Sequence, residues 1–343
     1  MPLLQSLVLT NNNLTKPPEF PWNNSTLEIY RELRRTDRED KKLAPIHVER
    51  NHYVRALYLS YNNIEDLSSH EFRGFLHVLH LQGNGLRKVG LTCFHNLAGI
   101  QTIDLSRNKL ASLPENLFQG LNTLQKINLG ENNISLIKPK LFEGLKNVKW
   151  IYLDHNNLNS IPNGLFKTLN TLEVLRLDAN KITKIEENPH PQHSAFRKIY
   201  LQNNNLSSFP SWIFRLSKIE EIDLSSNDVT FEDLNRTLRG YDIPIDDPPL
   251  DDPIVLNLAN NNNTKLIDSA GLNEIKADED ISPLRQAKYS YFWKAFSINF
   301  TGNPLVCACI MSAVASEIKK LSATNPGIRP RGLKPGNVIG HVN

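Results

Sequence analysis

Apolar residues recur along this chain in an eleven-residue phrase, L-x-x-L-x-L-x-x-N-x-L, each time with an asparagine near its end. The asparagine falls at Asn62, Asn84, Asn108, Asn132, Asn156, Asn180 and Asn204, with a first gap of 22 residues (84 − 62) and gaps of 24 thereafter. The fullest copy is Val148-Lys-Trp-Ile151-Tyr-Leu153-Asp-His-Asn156-Asn-Leu158. Residues 4–14, 54–64, 76–86, 100–110, 124–134, 172–182 and 196–206 repeat it, and 219–229, 256–261 and 298–303 repeat it more loosely. Self-similarity at a period of 20 to 29 residues predicts a solenoid.

Within L-x-L the side chains alternate, so the leucines turn inward and the residues between them outward, as in a strand with one buried face. One strand per coil predicts a parallel sheet in which each coil buries its apolar face only against its neighbours. Eleven such strands would span about 50 Å at a spacing of about 4.8 Å. The asparagine is placed just past the strand, where its amide can satisfy unpaired turn backbone. The second half of the coil repeats too. Phe94, Phe118, Phe142 and Phe166 are 24 apart, each followed three residues later by Leu97, Leu121, Leu145 or Leu169, which predicts a second core wall. Pro114, Pro162 and Pro210 mark an extended exit that needs no backbone donor.

These residues resemble the 24-residue repeats of animal extracellular leucine-rich-repeat proteins, such as Toll-like receptors and neuronal adhesion receptors. The resemblance covers 1–15 and 54–230. It implies an α/β solenoid, a horseshoe with a parallel β-sheet on its concave face. Asn303-Pro304-Leu305-Val306-Cys307-Ala308-Cys309 is similar to the opening of that family's C-terminal cysteine cap, and 312–321 has the character of the cap's short amphipathic helix. The family's cap supplies two further cysteines. None follows Cys309 here, and two cysteines two residues apart rarely meet disulfide geometry with each other. The expected organisation is therefore a solenoid over 1–302 and a partial cap over 303–343. Met1 opens almost at once on a phrase, without a signal peptide or an N-terminal cap, so truncation at both ends is expected.

The phrase is interrupted at 16–53, 230–253 and 264–295. The first excursion is dense in both charges and holds a copy at 43–53 that lies too near the next block to form a coil. The second carries Asp242, Asp246, Asp247, Asp251 and Asp252 among prolines, which favours an exposed loop over a calcium site. The third ends in Tyr289, Tyr291, Phe292 and Trp293, expected to cover the end of the core.

Lys plus Arg number 39 against 36 Asp plus Glu, a net charge of +3 with both signs interspersed. No basic stripe results, and on that ground nucleic acid is not expected as a partner. No stretch of 18 apolar residues could span a bilayer. Sequons occur at Asn13, Asn23, Asn24, Asn133, Asn205, Asn235, Asn262 and Asn299. Four of them (Asn13, Asn133, Asn205 and Asn262) stand in the same place, just after the block's asparagine, although an asparagine-rich phrase also creates sequons by accident.

No zincin, phosphate-loop or nucleophile-elbow motif is present, and neither enzyme activity nor a cofactor or metal is expected. His190 and His193 replace the usual Phe and Leu of a return half, and Cys93 precedes Phe94 on the core side. Attention therefore falls on the outward strand positions. Trp150, Tyr152, Arg176 and Tyr200 gather the residue types that carry interface energy. Lys126, Asp154, Asp178 and Lys198 surround them, and Tyr58 and His80 extend the row. The expected function is non-enzymatic recognition of a protein or peptide, in the ectodomain of a cell-surface receptor or a secreted adhesion protein. An intracellular scaffold and the sensor arm of a receptor kinase are the alternatives. An outward Asn299 bearing a glycan would bar partners from the C-terminal end of the sheet.

Overall fold

The computed structural model describes residues 6–18, 54–185, 195–216, 218–230, 254–261, 296–299 and 301–303. They belong to two compact units, residues 1–180 with 185–195 and residues 181–184 with 196–343. The expected excursions lie largely outside the described residues. So do the cap with Cys307 and Cys309, the pair His190 and His193, and the sequons Asn23, Asn24, Asn235 and Asn262.

In chain order the strands are β1 (Ser6–Val8), β2 (Ala56–Tyr58), β3 (Asp66–Leu67), β4 (Arg73–Phe75), β5 (Val78–His80), β6 (Lys88–Val89), β7 (Asn96–Ala98), β8 (Thr102–Asp104) and β9 (Lys126–Asn128). They continue as β10 (Trp150–Tyr152), β11 (Ser160–Ile161), β12 (Val174–Arg176), β13 (Lys184–Ile185), β14 (Lys198–Tyr200), β15 (Glu221–Asp223), β16 (Ile254–Asn257) and β17 (Phe296–Asn299). In the first unit β1, β2, β5, β8, β9, β10 and β12 form a parallel sheet in that order. In the second, β14, β15, β16 and β17 do the same. Each block of the phrase thus supplies one strand, the loose copies included. β1 pairs directly with β2, Ser6 opposite Ala56, so the copy at 43–53 adds no rung between them.

The central residues Leu57, Leu79, Ile103, Ile127, Ile151 and Leu175 are buried, as are Leu59, Leu81, Leu105, Leu129, Leu153 and Leu177 two positions on. Burying one such side chain is worth roughly 1.5–3 kcal/mol, and the period sets them all on one face. The return halves of the first unit are turns and short parallel pairs, β3 with β6 and β4 with β7. Among the described residues the helical element is a 3-10 turn, Ser211–Arg215. Phe94, Phe118, Phe142 and Phe166 stack as the 24-residue spacing predicts, and Phe72 extends the column. Their ring centroids lie 6.1 to 6.3 Å apart. Cys93 is buried beside this column, and burial, with a contribution from Glu71, pushes its thiol far above the ordinary cysteine range. A thiol so held is inert as a nucleophile.

The asparagines form a ladder through the core. Asn156 donates to the carbonyls of Leu129 (3.0 Å), Leu153 (3.1 Å) and Asp154 (3.1 Å), and its Oδ1 accepts the Ile134 N–H at 2.9 Å. Asn132 and Asn108 repeat this pattern one and two coils earlier. In the second unit Asn227 donates to Leu201 and Leu224 and accepts from Leu206. Asn261 and Asn303 continue the ladder in the loosened blocks. Each amide therefore ties a coil to its predecessor as well as closing its own turn.

Entry to each ladder position needs a feature that the phrase does not show. The residue before the asparagine is left-handed: Tyr61, Arg107, Glu131, His155 and Ala179 in the first unit have φ between 52° and 56°. Such a backbone costs a non-glycine residue roughly 1–2 kcal/mol, which the amide's hydrogen bonds offset. At Gly83, with φ 67°, a Cβ would also stand 2.4 Å from the exposed Tyr61 ring, which would have to shift.

Candidate functional site

The strand backbone presents its outward side chains in register. In the first unit the middle row runs Tyr58, His80, Asp104, Asn128, Tyr152 and Arg176, and the row beside it runs Ala56, Val78, Thr102, Lys126, Trp150 and Val174. Most are half-buried, as side chains lying against their neighbours on an open sheet should be. Lys126, Trp150, Tyr152 and Arg176 thus come together as expected. Tyr200 and Lys198 lie on β14 of the second unit, where both bind one carboxylate oxygen of Glu221, at 3.0 and 2.8 Å. That bond, then the nearby Tyr200, raises the Lys198 ammonium's pKa.

Two outward carboxylates are withdrawn from the surface. Asp178 is 3% exposed, and the Arg176 guanidinium grips it with two hydrogen bonds of 3.1 and 3.0 Å. The Arg176 Nε also stands 3.9 Å from Asp154. The Asp178 hydrogen bonds are the main cause of the guanidinium's raised pKa. Asp104, 7% exposed, accepts from the Ser106 N–H and hydroxyl and from the Asn128 amide. The second unit repeats this motif at Asp223 with Ser225 and Asn257, and Asn257 accepts in turn from Asn299. The signal for it was an acidic residue two positions before serine, with asparagine at the same position one coil on.

Two residues stand apart from these pairs. The Lys126 ammonium lies 5.0 Å from the centre of the Tyr152 ring, and among the described residues it has no carboxylate partner. The Tyr152 hydroxyl likewise has no hydrogen-bond partner among the described residues; burial raises its pKa, aided by Asp154 and opposed by Arg176, so it stays a donor. Lys149 approaches the Trp150 ring at 5.7 Å and pairs with Glu173 at 3.2 Å, which sequence reasoning missed. Tyr58 meets His80 edge-on at 4.9 Å, and burial lowers the His80 pKa.

The donor atoms of Asp154, His155 and Asp178 lie within 4.8 Å of one another, a spacing that could hold a metal ion. Arg176 already neutralises both carboxylates, so the cluster is explained as an ion-pair network. No helix among the described residues is long and apolar enough to cross a membrane.

Comparison with known proteins bears on the repeats themselves. No curated protein matches this sequence. Among solved structures, the chain is similar to one described as the crystal structure of a TLR13–ssRNA13 complex, at 23% identity and a TM-score of 0.48. The match covers 62% of this chain and spans 30% of that one. That structure is a complex with single-stranded RNA, and it overturns the exclusion of nucleic acid drawn from charge balance. The physical fault in that exclusion is that overall composition does not determine what a particular sheet face can hold. The leucine-rich-repeat family model matches at residues 75–134, 100–158, 122–182 and 170–229. These segments carry the core of the asparagine ladder and the phenylalanine column, and over residues 75–229 the chain is built of leucine-rich repeats.

Proposed function

We propose that this chain is a non-catalytic recognition module that captures an acidic segment of a protein partner on the outward sheet face around Lys126, Trp150 and Tyr152. The observation that carries the reading is the state of the charges there. Asp104, Asp178 and Arg176 are engaged with one another or with neighbouring side chains, and Lys149 is paired with Glu173. Lys126 keeps an ammonium with no carboxylate partner among the described residues, beside a tyrosine hydroxyl able to donate. A carboxylate seated between these donors would complete both, while Trp150 and Tyr152 supply apolar area at low entropic cost. By the resemblance noted above, the parent protein is a cell-surface receptor or a secreted adhesion protein.

The test is a displayed library of random peptides, with a matched set biased to Asp and Glu, panned on the folded chain. Acidic peptides carrying an apolar neighbour should be enriched. Trp150→Ala with Tyr152→Ala, and separately Lys126→Ala, should each weaken them at least tenfold, with the unfolding midpoint unchanged. A single-stranded RNA homopolymer is the competing arm, because aromatic faces also stack bases and lysine also meets phosphate. RNA capture that the same substitutions abolish, without peptide enrichment, would refute the protein-partner reading.

A further inference from the structure

We infer that Asn133 and Asn205 are acceptors of N-linked glycans. Four sequon asparagines are described, and their environments differ. Asn133 and Asn205 each follow a ladder asparagine, and both are exposed. Their backbone N–H groups are already satisfied by the carbonyls of Ile134's and Leu206's counterparts one coil earlier, Leu110 at 2.9 Å and Ile182 at 2.9 Å. Among the described residues their side-chain amides make no hydrogen bond, so a sugar on Nδ2 would sacrifice no contact of the fold. Ser135 and Ser207, which complete the two sequons, are exposed as well.

The contrast with the neighbours is sharp. Asn132, one residue before Asn133, is buried with its amide donating to Leu105 and Leu129. Asn299 is exposed but engaged: its amide donates to Asn257 at 3.0 Å, and its carbonyl accepts from the Thr301 N–H and hydroxyl. Asn13 is exposed too, but unlike Asn133 and Asn205 its own backbone is left-handed, with φ 55°. Asn133 and Asn205 are therefore the positions where a large substituent meets least resistance.

The transfer is complete in its atoms. The Asn Nδ2 attacks C1 of the reducing-end sugar of a lipid diphosphate-linked oligosaccharide. The N–C1 bond forms as the C1–O phosphate bond breaks, the lipid diphosphate leaves, and one amide proton passes to base. In the first unit the recognition residues stand on strands, whereas Asn133 stands past the turn that follows β9, so sugar and partner occupy different segments of the coil. This inference rests on the cell-surface or secreted reading; the peptide capture above uses unglycosylated protein, so the two can fail separately.

The experiment expresses the chain behind an added secretion leader in a eukaryotic host. The product is then treated with peptide N-glycosidase in heavy-oxygen water and mapped by mass spectrometry. Label at both Asn133 and Asn205 is expected. Asn133→Gln and Asn205→Gln should each remove one step of gel mobility, leaving the unfolding midpoint and acidic-peptide capture unchanged. Where secretion yields too little protein, translation with microsomes reads the same gel steps. An unlabelled Asn133 or Asn205 overturns the inference.

Discussion

Replacing Asn156 by alanine tests the physical claim on which the coil depends. The substitution deletes an acceptor for the Ile134 N–H (2.9 Å) and donors to the Leu129, Leu153 and Asp154 carbonyls (3.0, 3.1 and 3.1 Å). Asn156 is 7% exposed, so water does not readily replace what is lost. The orphaned Ile134 donor alone should cost roughly 1–3 kcal/mol, and the three carbonyls add to it. The control is Asn133→Ala in unglycosylated protein, an exposed position expected to stay within about 0.5 kcal/mol. Because coils couple mainly to their neighbours, the sensitive assay is local: amide hydrogen exchange at Ile134 and at residues 153–158. A loss of about 1.4 kcal/mol accelerates exchange through local opening tenfold. Asn156→Asp should be worse than alanine at neutral pH, since it keeps the acceptor but turns a carboxylate toward three carbonyls. Its folded-state pKa would lie above the unfolded value, so part of its stability would return as pH falls. Unchanged exchange at Ile134 in Asn156→Ala would refute the ladder as the tie between coils.

Two further substitutions address features outside the ladder. Ala179 has φ 53°; Ala179→Gly relieves the left-handed strain but frees the unfolded chain, for a net gain of up to about 1 kcal/mol, and a lower midpoint in urea would contradict that account. His80, whose pKa burial lowers, is held neutral by the fold. Its contribution is present above the unfolded value of about 6.5 and is lost as pH falls through that value toward the folded one. His80→Gln should therefore flatten the decline of stability between about pH 7 and pH 5 in paired thermal scans; an identical decline in both proteins would locate the titration elsewhere.

The fold was legible because its determinants are periodic. Leu, Asn and Phe recur at one spacing, and the buried strand residues, the ladder and the phenylalanine column all follow from it. Even the loosened blocks at 254–257 and 296–299 pair in register, Asn257 opposite Asn299. The left-handed residues were not legible, because Tyr61, Arg107, Glu131, His155 and Ala179 share a backbone angle and no side-chain chemistry. Phe72 escaped the count since the first gap is 22 residues and not 24, which shifts it out of phase with the later copies.

The candidate site was legible to a different depth. Alternation along a strand tells which way Lys126, Asp154, Tyr152 and Arg176 point, but not which of them hold one another. Asp178 illustrates the difference: it occupies an outward position, yet Arg176 closes over it and leaves it 3% exposed. A count of outward charges in the first unit gives a mixed surface of both signs. After Arg176 has taken Asp178 and approached Asp154, and Ser106 and Asn128 have taken Asp104, the remaining strong donor is the Lys126 ammonium. Satisfied charges would have to be broken before they could bind, at a cost of several kcal/mol for a partly buried pair. The unpaired one binds without that cost. The sign of the partner therefore follows from what the face has left unpaired, which is why an acidic ligand is argued for a chain whose overall charge is +3.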